Sequence, residues 1–466
     1  MCDDALEQYT FCSVTKVRAE LLSAIEQRLA HPTARDLAHA VGRAISDGVV
    51  APGTKLPPIR EVATELALSP TTVSAGWALL TRSGTIRTDG RRGTTVVDRS
   101  EPRAGRYRQA LEHQTHFRTD LSTGVPDATL LPSLTGALAA LTTAGTPGSY
   151  LDEPVLPELR EVLRADWPYD ADELTIVDGA MDGLDLVARS VLRFGDRVAI
   201  EDPCFPPLVD LLEAVGAQVV ALPLDGDGPD PDALAEALRT PLAAVVLQPR
   251  AQNPTGVSMG HGRADALAGL LEGTSTLVVE DDSAGATSIS PPTSLGPRLP
   301  HQTVHVRSFS KSHGPDLRLA AMSGPNDVLA AVAARRQNGQ GWSSRLLQRI
   351  LLSLLTDDAA GAAVAAARHE YARRRRLVVD ALAATGVPVG GTDGINIWVP
   401  VHDESAAIVR LASQGIGVTP GAPFTIGPPV QDHIRVTTGL LAEGHAEVAA
   451  QIAAAAQTSG WRSRGR

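Results

Sequence analysis

The chain has 466 residues, 43% hydrophobic and 20% charged, with a formal net charge of -11 at pH 7. That length accommodates two or three domains. The acidity excludes a nucleic-acid binder acting through its whole surface, and no apolar run reaches the length of a membrane span. Cys2, Cys12 and Cys204 fit neither a disulfide framework nor a metal site. The opening Met1-Cys2-Asp3-Asp4 lacks the basic-then-apolar pattern of a secretion signal. A cytoplasmic protein without metal or membrane contact is expected.

Residues 14–30 and 34–46 show helical apolar spacing. Pro52-Gly53 then marks a turn. Helices are expected over about 58–67 and 70–82, the second with Ser69 as N-cap and Pro70 at its first position. Two β-prone stretches, 85–88 and 94–98, flank Asp89-Gly90-Arg91-Arg92-Gly93, a turn with two cations at its tip. Residues 51–108 hold ten Lys/Arg against five Asp/Glu, a local excess of +5 inside an acidic chain. Three helices followed by a two-stranded wing form a winged helix-turn-helix pattern. The third helix would enter the major groove, with Thr71, Thr72 and Ser74 near base edges. Arg60, Arg82, Arg87, Arg91 and Arg92 would meet phosphates or the minor groove. The boundaries expected are a helical extension over 1–32, this module over 33–98 and a linker over 99–118.

From about 119 the texture changes. LTIVDG (174–179), RVAIED (197–202), AAVVLQP (243–249), TLVVED (276–281) and TVHVRS (303–308) alternate with helical segments. Such alternation predicts an α/β domain with a mainly parallel, doubly wound sheet over 119–466. A smaller α/β lobe is expected over about 389–466.

Ser308-Phe309-Ser310-Lys311, followed by Arg318, carries the clearest chemistry. A lysine amine can form a Schiff base with an aldehyde cofactor. Two hydroxyls and a guanidinium close by suit a phosphate. Asp178-Gly179-Ala180-Met181 follows a strand and opens a helix, whose backbone N–H groups favour an anion.

The segment PGTKLPPIREVATELALSPTTVSAGWALL resembles the GntR family of bacterial regulators, although Pro70 stands where many members carry Arg. Residues 120–440 resemble fold type I aminotransferases through an ordered set of motifs. The resemblance implies pyridoxal 5'-phosphate (PLP) on Lys311. Gly179, Ala180, Met181, Ser308, Ser310 and Arg318 would surround its phosphate. Phe205 would stack on its ring, Asn253 would donate to its phenolic oxygen, and Asp281 would keep the pyridine nitrogen protonated. Tyr150 would reach the phosphate of a partner subunit, and Arg435 would bind a ligand carboxylate.

Three positions depart from that family. Ser283 replaces the tyrosine usual two residues after the pyridine-binding Asp. Asp178 replaces a serine beside the phosphate loop. Val155 replaces a glycine near Tyr150. A missing phenol and an added carboxylate point to binding rather than turnover.

The two resemblances together resemble the MocR subfamily of GntR regulators. That implies a head-to-tail homodimer bound to double-stranded operator DNA. It also implies sensing of PLP itself, or of an amine or amino-acid effector, through an aldimine at Lys311. The alternatives are a PLP-dependent aminotransferase that retains a DNA-binding module, and a DNA-binding protein whose large domain serves only for dimerisation.

Overall fold

The computed structural model describes residues 21–29, 31–47, 49–51, 53–82, 85–89, 93–96, 105–111, 117–141, 149, 153–427 and 429–458. The chain divides into two compact units. One comprises Met1–Ala104 with Leu192–Asp196 and Leu211–Gln218; the other comprises Gly105–Val191, Arg197–Asp210 and Val219–Arg466.

In the first unit, residues 21–26 are helical, followed by α1 (Ala34–Ser46), α2 (Ile59–Glu65) and α3 (Pro70–Arg82). Thr33 caps α1 by accepting from the Asp36 N–H. Ser69 caps α3, its Oγ accepting from the Thr72 N–H at 3.0 Å. Strands β1 (Ile86–Asp89) and β2 (Gly93–Val96) pair antiparallel as a wing. Leu37, Val41, Val62, Val73, Trp77, Leu80, Ile86 and Val96 form one buried cluster beneath these elements. Gly76 lets α3 lie close on α1. A Cβ there would sit 3.1 Å from a Leu37 methyl and 3.2 Å from the Ala34 carbonyl oxygen.

The second unit opens with α4 (Arg106–Leu111), inside the stretch read from sequence as a linker. After β3 (Thr119–Asp120) come β4 (Glu173–Val177), α5 (Ala180–Val191), β5 (Arg197–Asp202), β6 (Gln218–Asp225), β7 (Gly228–Pro229), β8 (Ala244–Leu247), β9 (Leu277–Asp282), β10 (Thr303–Ser308) and β11 (Ala320–Gly324). These form an eight-stranded sheet in the order β4-β11-β10-β9-β8-β5-β6-β7. Strands β5, β8, β9 and β10 run parallel, while β11 is antiparallel to both its neighbours, so the sheet is mixed. Every residue of β8 and β10 is buried, as expected of central strands covered on both faces.

A smaller sheet, β12 (Ile397–Pro400), β14 (Thr419–Pro420) and β15 (His433–Val436), is ordered β12-β15-β14. Strand β13 (Ile416–Gly417) pairs with β3. Among the described residues, no single helix is long and apolar enough to cross a membrane, and no group of His, Cys, Asp and Glu could hold a metal ion.

Candidate cofactor and effector site

The motif residues gather where ligands bind in open α/β sheets, beyond the carboxyl ends of the strands. Asp178 and Gly179 follow β4, Phe205 follows β5, Asn253 lies beyond β8, Asp281 is the last residue but one of β9, and Lys311 follows β10.

Alternation along β9 sends successive carboxylates to opposite faces of the sheet. Glu280 Oε2 accepts from His305 Nδ1 at 2.7 Å, and Asp282 pairs with Arg250 at 2.6 Å. Burial alone would raise the Asp282 pKa, but His305 and Arg250 hold it below the usual carboxylate range. Asp281, 3% exposed, makes no ion pair among the described residues. Its Oδ2 accepts from Gln248 Nε2 at 2.6 Å, and its Oδ1 is buried without a hydrogen bond. Burial pushes its pKa up to about 6, against the Gln248 hydrogen bond and the Lys311 charge. A buried carboxylate oxygen without a donor is costly, so this is where a ligand N–H would be stabilised.

Lys311 Nζ lies 3.5 Å from Ser283 Oγ. Burial lowers its pKa below the usual ammonium value; Asp281 opposes that shift and the Arg435 charge adds to it. A lowered pKa raises the fraction of free, nucleophilic amine. Ser308 is buried, and its Oγ accepts from the Ser310 N–H at 3.3 Å.

Gly179 adopts φ +102°, and a Cβ there would sit 3.1 Å from Arg318 Nη2. Arg318 is itself left-handed at φ +48°, and its Nη2 donates to the Asp178 carbonyl at 3.4 Å. The glycine therefore permits guanidinium and turn to meet at the start of α5, where Ala180 and Met181 are half-buried. The Asp178 carboxylate is compensated by Arg336 Nη2 at 3.2 Å. Its charge is thus paired rather than left bare beside an anion site.

Phe205 is half-buried, and its ring stands edge-on to Tyr107 at 5.7 Å. Asn253 Oδ1 accepts from Asn396 Nδ2 at 3.4 Å, which leaves the Asn253 Nδ2 protons outside that bond. Arg435 is 1% exposed. Its Nη2 donates to Tyr107 Oη at 2.7 Å, to Thr419 Oγ1 at 3.1 Å and to the Ser122 carbonyl, while its Nε is buried without a partner. Among the described residues no carboxylate pairs with it. Burial lowers its pKa and the Tyr107 hydroxyl opposes that shift. A buried guanidinium without an anion is suited to a ligand carboxylate.

Sequence reasoning passed over Gln248, Tyr107, Ser122 and Thr419. None sits in a recognisable motif, and each enters the site through a contact distant in the chain. Tyr150, Arg91 and Arg92 lie outside the described residues, and the side chains of Arg82 and Arg87 are likewise outside them. In the first unit, Arg60, Thr71 and Ser74 are exposed and Thr72 is half-buried. The hydroxyls of Thr71 and Thr72 meet Ser69 Oγ at 2.6 and 2.8 Å.

Residues 33–96 match the bacterial regulatory proteins of the gntR family, and residues 118–452 match aminotransferase class I and II. The chain is 33% identical to the vitamin B6 salvage pathway transcriptional repressor PtsJ of Salmonella typhimurium, over 88% of this chain and 95% of that protein. It is 27% identical to the transcriptional regulator TauR of Rhodobacter capsulatus, over 83% and 89%. Kynurenine aminotransferase of Pyrococcus horikoshii, in complex with PMP, shares the fold with a TM-score of 0.68 at 22% identity, over 77% of this chain and 94% of that one.

Proposed function

The chain belongs to the MocR-type regulators, in which a GntR-type domain precedes an aminotransferase class I and II domain, and from that membership we propose a PLP-dependent transcriptional regulator whose Lys311 pocket senses the cofactor or an amine effector. When bound, PLP supplies an aldehyde that condenses with a primary amine and a pyridine ring that withdraws electrons.

The residues present fit that group. Lys311 offers an amine whose proton is weakly held. Asp281 Oδ1 would accept the ring N–H, and the cationic ring would return this carboxyl to its charged form. Asn253 would donate to the phenolic oxygen and Phe205 would cover the ring. Gly179, Ala180, Met181, Ser308, Ser310 and Arg318 would hold the phosphate. Arg435 would orient an effector carboxylate.

Occupancy matters to DNA binding only if the ligand binds two conformations unequally. A head-to-tail homodimer would present two winged helices to two half-sites, with α3 in the major groove and Arg60, Arg82, Arg87, Arg91 and Arg92 on the backbone or in the minor groove. Tyr150 would complete the phosphate site of the second copy. With a DNA partner the protein would act in the cytoplasm. The vitamin B6 repressor among its relatives favours a ligand related to the cofactor itself.

The observation that carries this reading is the buried, half-unpartnered Asp281 within electrostatic reach of Lys311. Absorbance of the purified protein titrated with PLP tests it. The wild type should develop the band of a lysine-bound cofactor, and Lys311→Ala should not. An identical band in both proteins would overturn the assignment.

A further inference from the structure

Tyr107 belongs to neither matched segment, which end at 96 and begin at 118. Its side chain nevertheless touches two of the ligand-facing groups. Its hydroxyl accepts from Arg435 Nη2 at 2.7 Å and lies 2.9 Å from the Thr123 carbonyl and 3.2 Å from that of Ser122. Its ring stands 5.1 Å from the Arg435 guanidinium carbon and edge-on to Phe205.

The contacts of Arg435 are crowded on one nitrogen. Nη2 has two protons, and three acceptors surround it: Tyr107 Oη, Thr419 Oγ1 and the Ser122 carbonyl. All three are neutral, although a guanidinium binds an ionised oxygen about twice as strongly. A ligand carboxylate bridging Nη1 and Nη2 in the bidentate fork would take an Nη2 proton from one of them. The Ser122 oxygen is backbone, and it also accepts from Thr419 Oγ1 at 2.7 Å, which ties both to the β14 region. Tyr107 is a side chain on a six-residue helix with no buried residue. Of the three it is the acceptor carried on a half-buried side chain, whereas Thr419 is fully buried and Ser122 contributes its backbone.

We propose that Tyr107 sets the specificity of the effector's carboxylate subsite: its hydroxyl stands on Arg435 where a ligand carboxylate oxygen would bind, and a carboxylate-bearing amine displaces it. The proposal rests on the reading of Arg435 as the carboxylate-binding group. It also gives the pocket a readout. Helix α4 lies in the segment that follows the DNA-binding module in the chain, so loss of the Tyr107–Arg435 bond alters how that segment is held. Arg106, beside Tyr107, keeps the helix anchored through its ion pair with Asp210, so the phenol can leave without the helix detaching.

The test uses the full-length, PLP-loaded protein titrated by absorbance with L-alanine and with ethylamine, its counterpart without the carboxylate. In Tyr107→Phe the competing hydroxyl is gone. The alanine-to-ethylamine affinity ratio should rise roughly two- to tenfold, the worth of one hydrogen bond. In the wild type, alanine but not ethylamine should increase amide exchange across 105–111. An unchanged or lowered ratio in Tyr107→Phe, with a wild-type preference for alanine that Arg435→Gln abolishes, overturns the role of Tyr107 and leaves Arg435 in place. A wild type with no such preference overturns the reading of Arg435 and the proposal with it. Ethylamine serves as the internal control that each variant retains a folded site.

Discussion

Arg336 Nη2 lies 3.2 Å from Asp178 Oδ2, and this ion pair would make an acidic residue compatible with the phosphate site proposed at that turn. Arg336 is 7% exposed and also donates to the Ile176 carbonyl at 2.6 Å and to Ser343 Oγ at 3.0 Å, so its position is fixed by the sheet edge as well as by the carboxylate. The charge that stands at the usual serine position is therefore compensated within the fold.

Removing the compensating charge should expose the repulsion. In Arg336→Met the Asp178 carboxylate faces the phosphate unpaired, and PLP affinity should fall about five- to thirtyfold, an effect of roughly 1–2 kcal/mol. Adding Asp178→Ser to that variant should recover most of the loss, because the two residues act through one charge. Absorbance titrations of the two variants decide it. A double variant as weak as the single one would mean that packing, not charge, was lost.

Glu201 offers a pH signature. It is 2% exposed, accepts from the Gln248 N–H at 3.0 Å and from Gln252 Nε2 at 3.1 Å, and burial pushes its pKa up to about 8. Between the ordinary glutamate value of 4.5 and about 8, the folded protein holds a proton that the unfolded chain releases. Stability contributed by this group is therefore full below pH 4.5 and falls as pH rises across that window, by up to about 1.4 kcal/mol per unit. Glu201→Gln keeps the shape and cannot titrate. Denaturation curves from pH 5 to 8 should show the difference in stability between variant and wild type growing with pH. A constant difference would show that Glu201 is already ionised in the fold.

The residues proposed to face DNA separate by role. Arg60→Ala should weaken binding to operator and scrambled duplex alike, and reduce the slope of log K against log salt by about 1. Thr71→Ala should change the ratio of the two affinities instead, with little change in slope, as expected of a group near base edges. Fluorescence anisotropy across a salt series measures both. Equal loss on both duplexes for Thr71→Ala would remove it from base recognition.

The chemistry-bearing residues were legible where they sit at strand ends within short motifs. Lys311 follows β10 in Ser-Phe-Ser-Lys, Asp281 closes an apolar run, and Ser69 precedes a helix start. Local sequence fixes such positions, because a buried strand and the turn after it are both written in consecutive residues. The groups that complete the site were not legible. Tyr107 and Arg435 are 328 residues apart, and Asp178 and Arg336 are 158 apart. The sequence alone marks Asp178 as an unfavourable charge, since its compensating cation comes from a distant helix. Gln248 likewise reads as the polar end of a strand until its 2.6 Å bond to Asp281 is seen. The antiparallel direction of β11 was also hidden, because strand periodicity carries no sense of direction.

Strand β9 carries three acids in succession, and only the middle one faces the site. Its neighbours Glu280 and Asp282 are committed to His305 and Arg250 on the far side. A shift of this strand by one residue would turn a paired acid toward Lys311 and bury Asp281 among the basic groups. The pairing of Val278, Val279, Glu280, Asp281 and Asp282 with β10 is thus a selector of protonation state as well as a structural register. An insertion or deletion within 277–282 would erase the cofactor site even if every residue that lines it survived.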